Sequence, residues 1–204
     1  ESNTQTCPVW TGSPAAWLVR NDKAVELGVR AGLAMNCALN ERSNFARKSY
    51  FYPDLPNGFQ TSQVEPAVGG SGLFEFEMPA GSAEAGKKVS IRINHAHLED
   101  DAGKCIHEGM GTSQVDLNRA GTPLIEIVTE PDFRSPAQAA EFMRQLRRLL
   151  VYMHVTDGNM EEGSMRCDVN VSLRPAGSDL YGTRAERKNL NSFNSVEEAA
   201  GYEV

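Results

Sequence analysis

The sequence predicts an α+β fold with a largely antiparallel or mixed sheet. Several segments alternate apolar and polar residues at the period of two that a pleated strand imposes. Two others repeat apolar residues at helical spacing behind a capping residue. The strands outnumber the helices and are joined by Pro/Gly turn signals, the pattern of an antiparallel sheet with helices added.

The elements follow in chain order. Asn21 to about Asn36 is expected to be a helix, with Asn21 as N-cap and an apolar stripe of Val25, Val29 and Leu33 beside Ala24 and Leu27. Residues 47–63, RKSYFYPDLPNGFQTSQ, are rich in aromatics, Pro and Gly and predict a packed loop with short strands. Leu73–Met78 alternates and meets the turn signal Pro79-Ala80-Gly81, after which Val89, Ile91 and Ile93 alternate with Ser90, Arg92 and Asn94 as the expected antiparallel partner. Leu124–Thr129 is a further strand. Ser135-Pro136-Ala137-Gln138 opens the clearest helix: Ser135 caps, Pro136 suits the first helical position, and Gln138 can close a capping box. Its buried stripe is expected to be Ala139, Phe142, Met143, Leu146, Leu149, Leu150 and Met153. In 165–174, MRCDVNVSLR, Met165, Cys167, Val169, Val171 and Leu173 point one way, and Arg166, Asp168, Asn170, Ser172 and Arg174 the other. Residues 183–189 predict another strand, and Ser195-Val196-Glu197-Glu198 the start of a last helix.

Composition bounds the function. The 204 residues are 40% hydrophobic, enough for one sizeable core, and the mean hydropathy is −0.41. No apolar run approaches the roughly 20 residues of a membrane helix, and Glu1-Ser2-Asn3-Thr4 has no signal-peptide character. There is no initiator Met and the last helix is cut short, so both ends read as internal to a longer protein. Four widely spaced cysteines, Cys7, Cys37, Cys105 and Cys167, suggest reduced thiols in a cytosolic (cytoplasmic) or organellar compartment. A net charge of −7 argues against a self-sufficient nucleic-acid-binding domain, though not against an RNA-handling enzyme whose RNA grip lies elsewhere.

The familiar phosphate-loop, dinucleotide, zinc-protease and serine-hydrolase fingerprints are absent. Three polar clusters stand in their place. In His97-Leu98-Glu99-Asp100-Asp101-Ala102-Gly103-Lys104, adjacent acids repel unless something positive neutralises them. Magnesium does so through oxygen ligands; a solvated acidic turn fits as well. The polar side of 165–174 sets Asp168 between Arg166 and Arg174, with the amide of Asn170, behind the acidic turn Asn159–Ser164. In 186–192, Glu186 and Lys188 share one strand face. Each cluster alone reads equally as a paired surface. Together they are what phosphoryl transfer needs: acids for metal and cations for phosphate.

The motifs HLEDDAGK, DLNRAGTPLIEIVTEPDFRSP, DGNMEEGSMRCDVNVSLRP and GTRAERKNLNSF, with RKSYFYPDLPNGFQTSQ, resemble the B-subunit family of the tRNA-dependent amidotransferases (GatCAB) from about Asn3 to Tyr202. The resemblance implies a glutamine synthetase-like cradle forming one partial catalytic domain over 1–204. It implies an ATP-dependent carbon–nitrogen ligase subunit that phosphorylates the side-chain carboxylate of Glu-tRNA(Gln) or Asp-tRNA(Asn). Ammonia from a GatA-type amidase subunit then displaces phosphate, with a GatC-type small subunit as further partner. It implies Mg2+ and ATP, with Glu99, Asp100, Asp168 and Glu186 at the metal or in its surroundings and His97 as ligand or orienter. Asp168, Glu186, Arg166 and Lys188 form the expected catalytic set. Arg166 and Lys188 are assigned from charge as phosphate partners, and Asn170 is placed with them in binding the nucleotide.

This chain departs from the family pattern twice. Asp100 stands where a Glu is usual, one methylene shorter, which favours water-mediated metal contact. Cys7-Pro8-Val9-Trp10 lacks the second cysteine of a zinc-binding pair, so no structural zinc is expected there. The family's first strand, bearing a further metal-site Glu and His, would precede Glu1, and its tRNA-gripping helical and tail domains would follow Val204. The 204 residues alone are therefore expected to lack transamidase activity and to bind tRNA weakly or not at all. Two rivals stay open: a tRNA-independent ligase of the glutamine-synthetase-like class, and a non-catalytic scaffold.

Overall fold

The computed structural model describes residues 21–107 and 111–204. Their fold is α+β with antiparallel pairing, and they divide into two compact units. Unit 1 holds 21–33, 37–72 and 94–128; unit 2 holds 34–36, 73–93 and 129–204. The Cys7 segment lies outside the described residues.

In unit 1, helix α1 (Asp22–Ala34) starts as expected, with Asn21 Oδ1 accepting the Lys23 backbone N–H at 2.9 Å. Its buried face is a different one. Gly28, Ala31 and Gly32 are buried, whereas Leu33 is 58% exposed. The larger side chains come from elsewhere in the unit. A Cβ on Gly28 would stand 2.9 Å from Leu98 Cδ2, and one on Gly32 2.9 Å from Leu39 Cδ2. The strip of small residues lets the helix backbone approach these leucines, which a Val/Leu stripe would hold off.

Strands β1 (Asn44–Ser49) and β2 (Phe59–Val64) form an antiparallel ribbon from Asn44↔Val64 to Ser49↔Phe59. Residues 47–63 are thus a loop between short strands, as their composition predicts. β1 is mostly exposed, so no alternation marks it in the sequence. After β3 (Gly72–Glu77) comes β4 (Lys88–Asp100), which pairs antiparallel with β2 at Ser62↔Glu99. Strands β5 (Lys104–Ile106) and β6 (Gln114–Asp116) make a small antiparallel ribbon, and β7 (Pro123–Thr129) is a further neighbour of β4.

The burial along β4 changes parity. Val89, Ile91 and Ile93 are buried in its first half, Ala96 and Leu98 in its second. The odd-numbered face that is apolar core early in the strand therefore carries His95, His97 and Glu99 later.

In unit 2, Phe74 and Phe76 of β3 pack with Phe142 of helix α2 (Pro136–Tyr152), the Phe74 and Phe142 rings meeting edge-on at 5.3 Å. Ser135 caps α2, its hydroxyl accepting the Gln138 N–H at 3.3 Å. Gln138 Oε1 accepts from the Arg134 N–H at 2.9 Å, one residue earlier than a capping box would have it. The buried stripe includes Phe142, Met143, Leu146 and Leu150 as expected, but also Gln138 and Glu141. Glu141 tolerates burial because Gln145 Nε2 donates to it at 2.6 Å and Arg144 Nη1 lies 3.4 Å away. Helix α3 (Phe193–Tyr202) begins two residues before the expected start, because Ser192 is its cap and accepts the Ser195 N–H at 3.0 Å. It packs on α2 and on the antiparallel ribbon of β8 (Cys167–Val171) and β9 (Ala185–Leu190).

The start of α2 is tied to the loop after β3. Glu84 accepts from the Ser135 hydroxyl, from Gln138 Nε2 at 2.8 Å and from Lys87 Nζ at 2.6 Å. These donors, Lys87 foremost, hold its carboxyl down at about 2. A depressed acid adds stability above its unfolded value and loses it as pH falls through the folded one. Glu84→Gln is therefore expected to lower the thermal midpoint at pH 7, with the gap from wild type narrowing as pH drops from 4.5 toward 2, as followed by circular dichroism. Gly28→Val should destabilise unit 1 by about 1–3 kcal/mol in urea unfolding, because its methyls collide with Leu98.

Candidate metal centre

Unit 1 gathers three ligand-type side chains: His97 and Glu99 from β4 and Glu126 from β7. Spacing of i and i+2 sends the first two to one face, while Ala96 and Leu98 anchor the other. His97 Nε2 lies 3.8 Å from Glu99 Oε2 and 3.7 Å from Glu126 Oε2, and one ligand atom from each residue falls within 4.8 Å of the others. His97 and Glu99 are 14% and 13% exposed and Glu126 54%, so the cluster has a closed back and an open front.

Glu99 is the chief influence that raises His97 above the ordinary imidazole value, against the opposing effect of burial; Glu126 adds to the rise and Lys48 opposes it. At 3.8 Å the attraction is that of an ion pair rather than a hydrogen bond. His97 in turn holds Glu99 below the usual carboxylate range despite burial, helped by Lys48 and by Ser62, the register partner of Glu99. The His97 and His95 rings stack at 5.2 Å.

The donor set suits a hard divalent cation such as magnesium: two carboxylates with one imidazole and no sulfur, open on one side for water or a phosphate oxygen. Two carboxylates converging on one point also call for a positive charge between them. His97 Nδ1 is buried and without a partner among the described residues. A metal-bound imidazole ordinarily donates its other N–H. With no acceptor at Nδ1, a neutral His97 would keep its proton on Nε2, the nitrogen facing the carboxylates. A cation held here would take Glu99 and Glu126 as ligands, with His97 orienting them.

The three consecutive acids do not converge. Asp100 has the opposite parity to Glu99 and is not in the cluster. Asp101 pairs with Arg119, Oδ2 to Nε 3.2 Å, while Arg119 also donates to the carbonyls of Ala102 (3.2 Å) and Gly103 (2.9 Å). Pleat and counter-ion relieve the repulsion that the run HLEDD suggests.

Unit 2 carries the remaining expected residues. Cys167, Val169 and Val171 are half-buried and Asp168 and Asn170 exposed, as alternation predicts, but Leu173 lies beyond the strand and is 52% exposed. Burial pushes the Cys167 thiol up to about 11. Asn170 stands opposite Glu186, and Glu186 Oε2 meets Lys188 Nζ at 3.5 Å on the exposed face. Arg187, of the other parity, donates from Nε to Glu203 beyond the end of α3 at 2.7 Å. The register slips by one between Cys167/Leu190 and Val169/Arg187. Asn189 sits in this bulge at φ 58°, and Asp168 Oδ1 accepts its N–H at 2.7 Å. Asp168 thereby shapes the segment that presents Glu186 and Lys188. Arg166 precedes β8. Glu99 and His97 thus belong to unit 1, and Arg166, Asp168, Asn170, Glu186 and Lys188 to unit 2.

Glu126 is not singled out by the sequence motifs. Its signal is there: a lone acid at an alternating position inside the apolar strand PLIEIVT.

Comparison with known proteins bears on what this cluster serves. The profile of the GatB/GatE catalytic domain matches residues 1–204. Relatives described as the B subunit of an aspartyl/glutamyl-tRNA(Asn/Gln) amidotransferase are 53% identical in Thermodesulfovibrio yellowstonii and Halorhodospira halophila, and 52% identical in Burkholderia multivorans. Each alignment covers 100% of this chain and 42% of the relative, so the chain spans well under half the length of the proteins it matches. With a matching profile over every residue and half of the positions identical to these relatives, the chain belongs to the GatB/GatE catalytic-domain family.

Proposed function

We propose that this chain is the carboxylate-activating part of a tRNA-dependent amidotransferase subunit. In this reading the substrate is the side-chain carboxylate of Glu-tRNA(Gln), Asp-tRNA(Asn) or both. ATP converts it to an acyl phosphate, and ammonia displaces phosphate to leave the amide. The cluster of His97, Glu99 and Glu126 is the observation that carries the proposal.

A carboxylate resists nucleophiles because it is an anion, so the protein must bring anionic partners together and neutralise them. Glu99 and Glu126 would hold magnesium, which when bound supplies charge neutralisation at the nucleotide phosphates. His97 keeps Glu99 ionised and aimed. Lys48, whose charge reaches both His97 and Glu99, balances the excess negative charge. In unit 2, Arg166, Lys188 and Asn170 are proposed to meet phosphate oxygens, with Glu186 and Oδ2 of Asp168 as further acids. Lys188 is well suited because its exposed pair with Glu186 is worth little and is readily exchanged. The protein is proposed to act beside GatA-type and GatC-type subunits, in the cytoplasm or an organelle matrix where tRNA is charged. Among the described residues no helix is long and apolar enough to cross a membrane.

Glu99→Gln and Glu126→Gln in the full-length subunit, assembled with its partners, should each weaken Mn2+ binding at least about tenfold by electron paramagnetic resonance and abolish ATP-dependent amidation. Circular dichroism should be unchanged. Full amidation by the double variant would refute the reading. A second proton on His97 puts a positive charge beside the carboxylates and opposes the cation, and its basicity is raised. Mn2+ affinity should therefore climb with pH through the range above 6.5 and then level off, a rise that His97→Asn should flatten.

A further inference from the structure

In unit 1 two aromatic rings are held in water by a loop braced with main-chain hydrogen bonds. Phe51 is 92% exposed and Tyr52 56%. The loop 50–58 is closed by the Tyr50 N–H to the Gly58 carbonyl at 3.0 Å, and braced by Leu55 N–H to Tyr52 O and Gly58 N–H to Leu55 O, both 3.0 Å. It is tied to the segment after β4 by the Gly103 N–H to Asp54 O at 2.8 Å, and Leu55 is buried beneath it. Leaving a Phe ring in water forgoes about 1.5–3 kcal/mol of burial, and here well-made backbone bonds keep it there.

The loop springs from the strand that carries Arg47 and Lys48, both exposed, with Arg47 held over the Phe59 ring at 4.9 Å. It also adjoins the metal cluster. Lys48 acts on His97 and Glu99, and the Tyr50 phenol is raised first by burial and then by Asp54, Glu99 and Asp101. The Tyr50 hydroxyl donates to Gln60 Oε1 at 2.6 Å, and Gln60 Nε2 to the Asp100 carbonyl at 2.7 Å. The aromatic loop, Lys48 and the ligand cluster share one neighbourhood.

We propose that Phe51 and Tyr52 are a stacking platform for the unpaired 3′-terminal bases of the RNA substrate, with Lys48 meeting an adjoining phosphate. The inference rests on the function proposed above. A carboxylate carried on the terminal ribose reaches Glu99 and Glu126 only if the terminal nucleoside docks within one aminoacyl group of them. Exposed rings beside cations are the equipment for unpaired nucleotides: every base offers a face to stack, and the cations follow the backbone.

The test uses the full-length subunit in its complex, with intact uncharged tRNA(Gln) and the same tRNA lacking its unpaired 3′-terminal nucleotides. Phe51→Ala and Tyr52→Ala should each weaken binding of intact tRNA about 5- to 150-fold. They should leave binding of the shortened tRNA near the wild-type value for that RNA, and Phe51→Trp should restore tight binding. Amidation kinetics should show a raised KM for aminoacyl-tRNA with Mn2+ binding unchanged. Equal losses for intact and shortened tRNA would overturn the proposal, as would no loss at all. Dissociation of the partner subunits on size exclusion would assign the rings to a protein interface and overturn it too. The binding arm needs neither ATP nor metal. Failure of the activation chemistry would therefore appear as metal-independent amidation or none in wild type, distinct from any change in 3′-end recognition.

Discussion

The pleat of β4 is the constraint on which the site depends. Because successive side chains alternate, burying Ala96 and Leu98 forces His95, His97 and Glu99 to the other side. A slip of one residue would bury the histidine and the glutamate and expose the leucine, a double cost of desolvated charge and lost apolar contact. The register is secured by Gln63, whose Oε1 accepts the N–H groups of both Val68 and Leu98 at 3.0 Å, and by the Ser62↔Glu99 pairing. The Leu98 that fixes this parity also sits against Gly28 of α1. Core packing and the placement of His97 and Glu99 on one face are thus two consequences of one register.

How much of this is legible in the sequence depends on whether the signal is local. The α+β class, the cap of α2, the alternation of Val89–Ile93 and that of Cys167–Val171 all follow from residues within a few positions of one another, and all are found. The buried face of α1 is not legible, because it is set by Leu98 and Leu39, distant in sequence; small residues on a helix carry no apolar signal until a partner is known. Glu126 is hidden for the same reason. A single acid in an apolar strand acquires meaning only when β7 is laid beside β4.

The acids also show why composition is a blunt guide to chemistry. Glu99, Asp100 and Asp101 are consecutive, and charge counting along the chain treats them as one cluster needing one neutraliser. The fold separates them: Glu99 faces His97, Asp100 turns the other way, and Asp101 is engaged by Arg119 from the NRAGTP turn. The acid that joins Glu99 comes from 27 positions away and is not in the run at all. Charge density along a chain therefore locates a site only as well as the strand period allows.

The bulge at Asp168 extends the same reasoning to unit 2. An uninterrupted ribbon would set Asp168 directly across from Lys188 and satisfy both as an ordinary cross-strand ion pair. The extra residue in β9 breaks that pairing: Asp168 turns to the Asn189 N–H, and Lys188 is left to its neighbour Glu186. Holding Asn189 at positive φ costs some backbone strain, and the hydrogen bond to Asp168 offsets it. An irregularity that frees a lysine from a tight pair, rather than adding a contact, is what a strand face needs if it is to meet an incoming anion instead of neutralising itself.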